Sequence, residues 1–153
     1  MRIKCHINSR LFQEKIEPDM LLIDFLRLLG FYSVKRGCDT GNCGLCTVWV
    51  NDKPVLSCSV LAANVNEKNI TTLEGLQEEA KEFGKFLADE GADQCGFCSP
   101  GFVMTILAMK RELEAPTLEA IKWYLSGNLC RCTGYMGQLR AIQKYLESGK
   151  EGA

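Results

Sequence analysis

Eight of the nine cysteines in this 153-residue chain fall into two groups of four. Cys38, Cys43, Cys46 and Cys58 follow C-x4-C-x2-C-x11-C. Cys95, Cys98, Cys130 and Cys132 follow C-x2-C-x31-C-x-C, and 36 cysteine-free residues separate the groups. Thiolates gathered in fours point to metal or redox chemistry, above all in a chain whose odd cysteine count argues against a disulfide framework. His6 is the sole histidine. Any metal site must therefore be built from thiolates or carboxylates, and a Rieske centre, which takes two histidines, is excluded.

The first quartet sits in Arg36-Gly37-Cys38-Asp39-Thr40-Gly41-Asn42-Cys43-Gly44-Leu45-Cys46, a glycine-rich loop. An anionic iron–sulfur core needs backbone N–H groups close to its sulfurs, and glycines let the backbone approach in left-handed conformations. C-x4-C-x2-C…C is the plant-type [2Fe–2S] spacing. A structural zinc site pairs its ligands at both ends, whereas Cys58 stands alone, and a four-iron cluster uses tighter C-x2-C-x2-C runs. The expectation is a [2Fe–2S] cluster. The second quartet is predicted at helix ends, where free N–H groups and the helix dipole suit an anionic core. Its C-x-C step fits a compact cluster. Spacing alone leaves two readings open here, a second [2Fe–2S] cluster and a zinc staple for a helical bundle.

The elements that position these residues differ between the halves. Strict alternation in Arg2-Ile3-Lys4-Cys5-His6-Ile7 predicts a half-buried strand. Cys5 then lies on the inner face as a small hydrophobe, and His6 on the surface. A second strand over 11–17 completes a hairpin around Asn8-Ser9-Arg10. Pro18-Asp19 is expected to open a helix with an apolar stripe of Leu21, Leu22, Phe25, Leu26 and Leu29, closed by Gly30. Strands follow the cluster loop near 46–51, 54–57 and 69–73. This order is that of a β-grasp. From Leu76 onward the pattern is helical: 76–89, then a buried helix with Ser99 as N-cap and Pro100 at its first position, then 116–124, then one opened by Gly134-Tyr135 and running to Leu146. The fold class is α+β: a β-grasp domain with a plant-type, ferredoxin-like [2Fe–2S] site over 1–75, then a helical-bundle domain over 76–153 that carries the second quartet. Halves this small bury a modest fraction of their surface, so a cluster in each doubles as a staple.

Composition narrows the function classes. Lys and Arg number 18 against 19 Asp and Glu, a net charge of −1, which lacks the basic excess of a nucleic-acid binder. No apolar run approaches the length of a membrane span, and MRIKCHINSR has no signal-peptide h-region. The expected location is the cytosol. No nucleophile–base pair, phosphate loop or G-x-G-x-x-G run occurs, so substrate chemistry is not expected on this chain.

Gly37 through Val48 resembles the ferredoxin-type cluster loop of the molybdenum hydroxylase family. Gln94-Cys95-Gly96-Phe97-Cys98-Ser99-Pro100-Gly101 and Gly127-Asn128-Leu129-Cys130-Arg131-Cys132-Thr133-Gly134-Tyr135 are similar to that family's second-cluster motifs. The linking Thr72-Leu73-Glu74-Gly75-Leu76 is similar too. The resemblance spans about residues 2–146 and decides the second quartet for [2Fe–2S]. It implies a small electron-transfer subunit, most like that of a bacterial xanthine dehydrogenase. Its partners would be a large molybdopterin-binding subunit and a medium FAD-binding subunit, with the helical domain's cluster beside the molybdenum cofactor and the β-grasp cluster nearer the flavin. It also implies pterin contact by Gln94 and Cys132. Ser99, Leu45 and Gln138 depart from the family pattern, where Thr, a small Ala and an apolar residue are common; packing near Gln138 is expected to differ. The role of Arg131 stays open between cluster tuning and a surface ion pair. Selectivity lies in the partner: purines lead, with aldehydes, nicotinate-like heterocycles and carbon monoxide as alternatives. Competing roles are a free-standing two-cluster carrier and a zinc-stapled interaction module.

Overall fold

Alternation in Arg2–Ile7 (β1) buries Ile3, Cys5 and Ile7 and leaves His6 exposed. β1 turns through Asn8-Ser9, both left-handed at φ 49° and 66°, into antiparallel β2 (Arg10–Lys15). Such a two-residue turn matches the right-handed twist of the paired strands. The computed structural model describes residues 1–148; residues 149–153 of the expected helical domain lie outside the described residues.

The helix α1 spans Leu22–Leu28, later than the expected start at Pro18-Asp19. Leu21 is held extended by a bridge to Leu61, and the Leu22 N–H donates to the Val60 carbonyl at 2.7 Å, so the helix cannot begin sooner. Gly30 ends it at φ 92°. β3 (Thr47–Val50), β4 (Lys53–Leu56) and β5 (Asn69–Thr71) complete a sheet of order β2-β1-β5-β3-β4, with β1 and β5 parallel and the other pairs antiparallel. The first core joins Ile3, Cys5 and Ile7 with Leu22, Phe25, Leu26, Val48 and Ile70. This is the expected β-grasp.

The second half packs α2 (Gln77–Asp89), α3 (Ser99–Glu112), α4 (Leu118–Tyr124) and α5 (Met136–Ser148). Residues 101–109 of α3 are buried throughout and form the spine of a second core with Phe83, Ile121, Ile142 and Tyr145. Thr117 caps α4 by accepting from the Ala120 N–H at 3.2 Å. Ser99 does not cap α3 as expected. The helix already begins at Ser99, Cys98 flanks it, and the Ser99 hydroxyl donates instead to Asp93 Oδ1 at 2.8 Å.

The two halves interlock. β3 reads Thr-Val-Trp-Val with no polar alternation because both of its faces are covered. Val48 enters the first core, and Trp49, 1% exposed, enters the second, its indole N–H donating to the Met104 carbonyl at 3.0 Å. A Cβ on Gly101 would strike the Gly44 carbonyl oxygen and stand 2.8 Å from Leu45 Cα. At the end of the first half, Glu74 accepts from the Ser33 N–H (3.0 Å), the Ser33 hydroxyl (2.6 Å) and the Thr72 hydroxyl (2.6 Å). Thr72 in turn exchanges two 2.9 Å hydrogen bonds with the Asn8 amide.

Candidate metal centres

The loop between α1 and β3 carries Cys38, Cys43 and Cys46, and the turn of 3-10 helix after β4 carries Cys58. Cys43 and Cys46 are buried, Cys38 and Cys58 partly so. The loop's backbone N–H groups turn toward its sulfurs. Those of Thr40, Asn42 and Cys43, together with the Cys43 side chain, bring the Cys38 thiol down to about 6. Burial raises the Cys43 thiol, against N–H groups from Leu45 and Gly37. Burial likewise pushes Cys46 up to about 11, against the Cys58 N–H. Gly41 and Gly44 are left-handed (φ 69° and 73°), the freedom the sequence called for. A Cβ on Gly37 would stand 3.3 Å from Cys43 Sγ and 2.6 Å from Leu45 Cδ2. Leu45 is buried against this glycine and also lines the cleft between the two cysteine groups.

The second quartet gathers from two places. Cys95 and Cys98 precede α3, and Cys130 and Cys132 lie between α4 and α5. Cys95 and Cys132 are exposed with sulfurs 3.6 Å apart; Cys98 and Cys130 lie deeper. Burial drives Cys98 up to about 12. Burial also pushes Cys130 up, but hydrogen bonds from the Thr133 hydroxyl and from the Thr133 and Cys132 N–H groups outweigh it and leave the thiol below its ordinary value. The Cys95 side chain raises Cys132.

The sulfurs group two and two: Cys38 and Cys43 act on each other, Cys58 acts on Cys46, Cys98 and Cys130 act on each other, and Cys95 acts on Cys132. Two thiolates at each iron is what a binuclear core requires. Among the described residues, no three His, Cys, Asp or Glu side chains converge on one point as a single tetrahedral ion would need. The pairing and the N–H donors together fit a two-iron core at each quartet.

The quartets are neighbours. The Leu129 N–H donates to the Cys43 carbonyl at 2.9 Å, so one hydrogen bond and one peptide unit join a cysteine of the first group to Cys130 of the second. A cleft of about 430 Å³, lined by Cys38, Cys43, Phe97, Cys98, Cys130 and Tyr135 among others, opens between the loops. Gln94 is exposed in the bend beside Cys95, and Arg131 is exposed between Cys130 and Cys132. Two roles were missed from sequence, and a third residue was flagged without one. Tyr135 is left-handed at φ 69°, and its hydroxyl accepts from the Cys130 N–H at 2.7 Å. Trp49 crosses into the helical core; the unbroken apolar run of β3 was its signal. Gln138, singled out in the sequence but given no role there, is buried 2.9 Å from the Thr133 hydroxyl.

Comparison with known proteins finds two iron–sulfur domains along this chain. Residues 12–83 match the family described as 2Fe-2S iron-sulfur cluster binding domain, and residues 72–143 match the [2Fe-2S] binding domain. The nicotinate dehydrogenase small FeS subunit of Eubacterium barkeri is 41% identical, the alignment covering 95% of this chain and 94% of that one. The xanthine dehydrogenase iron-sulfur-binding subunit of Escherichia coli O157:H7 is 45% identical over 87% of this chain and 86% of its own. The crystal structure of quinoline 2-oxidoreductase from Pseudomonas putida 86 superposes with a TM-score of 0.89 at 36% identity, covering 99% of this chain and 97% of that one.

Proposed function

Since this chain belongs to the iron–sulfur subunits of the molybdenum hydroxylase family, we propose that Cys38, Cys43, Cys46 and Cys58 hold one of its [2Fe–2S] clusters and Cys95, Cys98, Cys130 and Cys132 the other. The chain is an electron-transfer component of an oxidoreductase complex and carries two such clusters. When bound, a [2Fe–2S] core takes up and passes on single electrons. The chain's own residues supply anionic sulfur ligands, N–H donors that stabilise the added charge, and burial that keeps water from the inner ligands. The observation that carries the ligand assignment is the two-and-two grouping of sulfurs within each quartet.

We place a molybdopterin subunit against the exposed Cys95–Cys132 edge, where Gln94 stands open to hydrogen-bond the pterin and Cys132 to contact it. An FAD subunit would face the first quartet. The Leu129-to-Cys43 hydrogen bond supports a relay between the loops. A division into functional domains near residue 75 and a cytosolic location belong to the same reading. No helix among the described residues is long and apolar enough to cross a membrane. For the substrate, we favour a purine, in line with the Escherichia coli relative. A nicotinate-like ring is the second reading, supported by the Eubacterium barkeri relative at similar identity.

The test is metal analysis of the complex purified without oxygen from its own host. About four irons per copy of this chain, with molybdenum and larger partners, is the expected result. Iron on a lone 17.1 kDa chain without molybdenum would favour a free carrier instead, and zinc in place of iron would overturn the redox reading.

A further inference from the structure

Gln138 is only 3% exposed on α5, at a position where the family resemblance implies an apolar residue. A buried amide there costs free energy unless its polar atoms are used. Its Oε1 lies 2.9 Å from the Thr133 hydroxyl oxygen, and the same hydroxyl lies 3.2 Å from Cys130 Sγ. The Tyr135 N–H donates to Thr133 Oγ1 at 3.2 Å. The hydroxyl has one proton and two acceptors within reach, the Gln138 oxygen and the Cys130 sulfur. Every share of that proton taken by Gln138 is withheld from the sulfur.

We infer that Gln138 is a positioning residue for the second [2Fe–2S] cluster: by competing for the Thr133 proton it lowers hydrogen-bond donation to Cys130 and holds that cluster's reduction potential down. The inference rests on the proposed ligation by Cys130. Reduction adds negative charge to the core and its thiolates, so a hydrogen bond to a ligand sulfur favours the reduced state and raises the potential. An acceptor that draws the proton away does the opposite. Among the described residues Gln138 makes no hydrogen bond to the sulfur itself, so its influence runs through Thr133.

The experiment is an electrochemical titration of the protein holding both clusters, with each cluster followed by its own EPR signal. Gln138→Leu is expected to raise the second cluster's midpoint potential, and Gln138→Glu, a stronger acceptor, to lower it. The first cluster's potential stays where it was. In a Thr133→Val background the Gln138→Leu shift disappears. Gln138→Met, which keeps the side chain's length and removes only the amide, must behave like Gln138→Leu and serves if the Glu variant does not fold. An unchanged or lowered potential in Gln138→Leu overturns the inference, as does an equal shift of both clusters or a shift that survives Thr133→Val. Absence of a second cluster signal in the unsubstituted protein would overturn the ligand assignment itself, a result distinct from a cluster that is present but unmoved.

Discussion

Glu74 accepts three hydrogen bonds in a half-buried site, and they outweigh the burial that would otherwise raise its carboxyl; its pKa lies below the ordinary glutamate value. A depressed folded-state pKa means that the charged form stabilises the fold. That contribution is complete above the unfolded value of about 4.3 and is lost as pH falls through the lower folded value. Glu74→Gln keeps the shape and removes the charge. It is expected to cost about 1–2 kcal/mol near neutral pH, the low end for bonds to a charged acceptor because the site is partly wet. Urea titrations of both proteins at a series of pH values check this, and the gap between them should narrow in acid. Cys43→Ser belongs to the same scale. It should erase one EPR signal and leave the other, since the backbone carbonyl that receives the Leu129 N–H is untouched; loss of both would mean that the second cluster needs the first cluster in place, not merely the folded chain around it. The cysteines were legible in the sequence because their spacing is itself the chemistry. The Glu74 network was not, because Asn8 and Ser33 come to Thr72 and Glu74 from 64 and 41 residues away.

Two glycines in helices show how differently the same residue can serve an element. Gly101, in the first turn of α3, has the Gly44 carbonyl and the Leu45 backbone where a side chain would go, and backbone cannot swing aside as a flexible side chain can. Gly84, inside α2, has nothing within 4 Å of its missing Cβ. Gly101→Ala should therefore push α3 off the first cluster loop. A loss of about 1–3 kcal/mol, the size typical of overpacking, is expected, together with poorer iron retention. Gly84→Ala should stabilise the protein by up to about 1 kcal/mol through helix propensity alone. Thermal melts of the two variants, with iron content measured alongside, separate the cases. Element existence was readable throughout, from period-two alternation in β1 and the apolar stripes of the helices. Element starts were less so. α1 begins late because Leu21 pairs with Leu61, a contact made across forty residues, and α3 recruits Ser99 into its first turn because Asp93 offers the hydroxyl a partner. Both are tertiary contacts that no local pattern announces.

At the scale of the whole molecule, the two halves have separate cores but are not independent bodies, and Trp49 is where they are joined. Its ring is buried among α3 and the second core while its backbone belongs to β3 of the first sheet. Arg111 stacks over it with the guanidinium carbon 4.3 Å from the ring centroid. Each half alone is of marginal size, so the surface buried between them is part of what keeps both folded. Trp49→Ala should cost about 3–5 kcal/mol, the range for deleting a large core aromatic. Trp49→Phe, which keeps most of the ring and loses the bond to the Met104 carbonyl, should cost about 1 kcal/mol for the bond, plus the carbonyl's modest desolvation. The more informative readout is cooperativity. In the unsubstituted protein, the two cluster signals and the far-UV helix signal should be lost together in urea, as one transition. In Trp49→Ala the helical half should melt first, because the hole opens in its core, while the β-grasp cluster persists to higher denaturant. If the two cluster signals already part in the unsubstituted protein, the interlock at Trp49 and Gly101 contributes little, and the chain is two redox modules on one thread. If they part only in the variant, one indole ring couples the stability of both cluster sites.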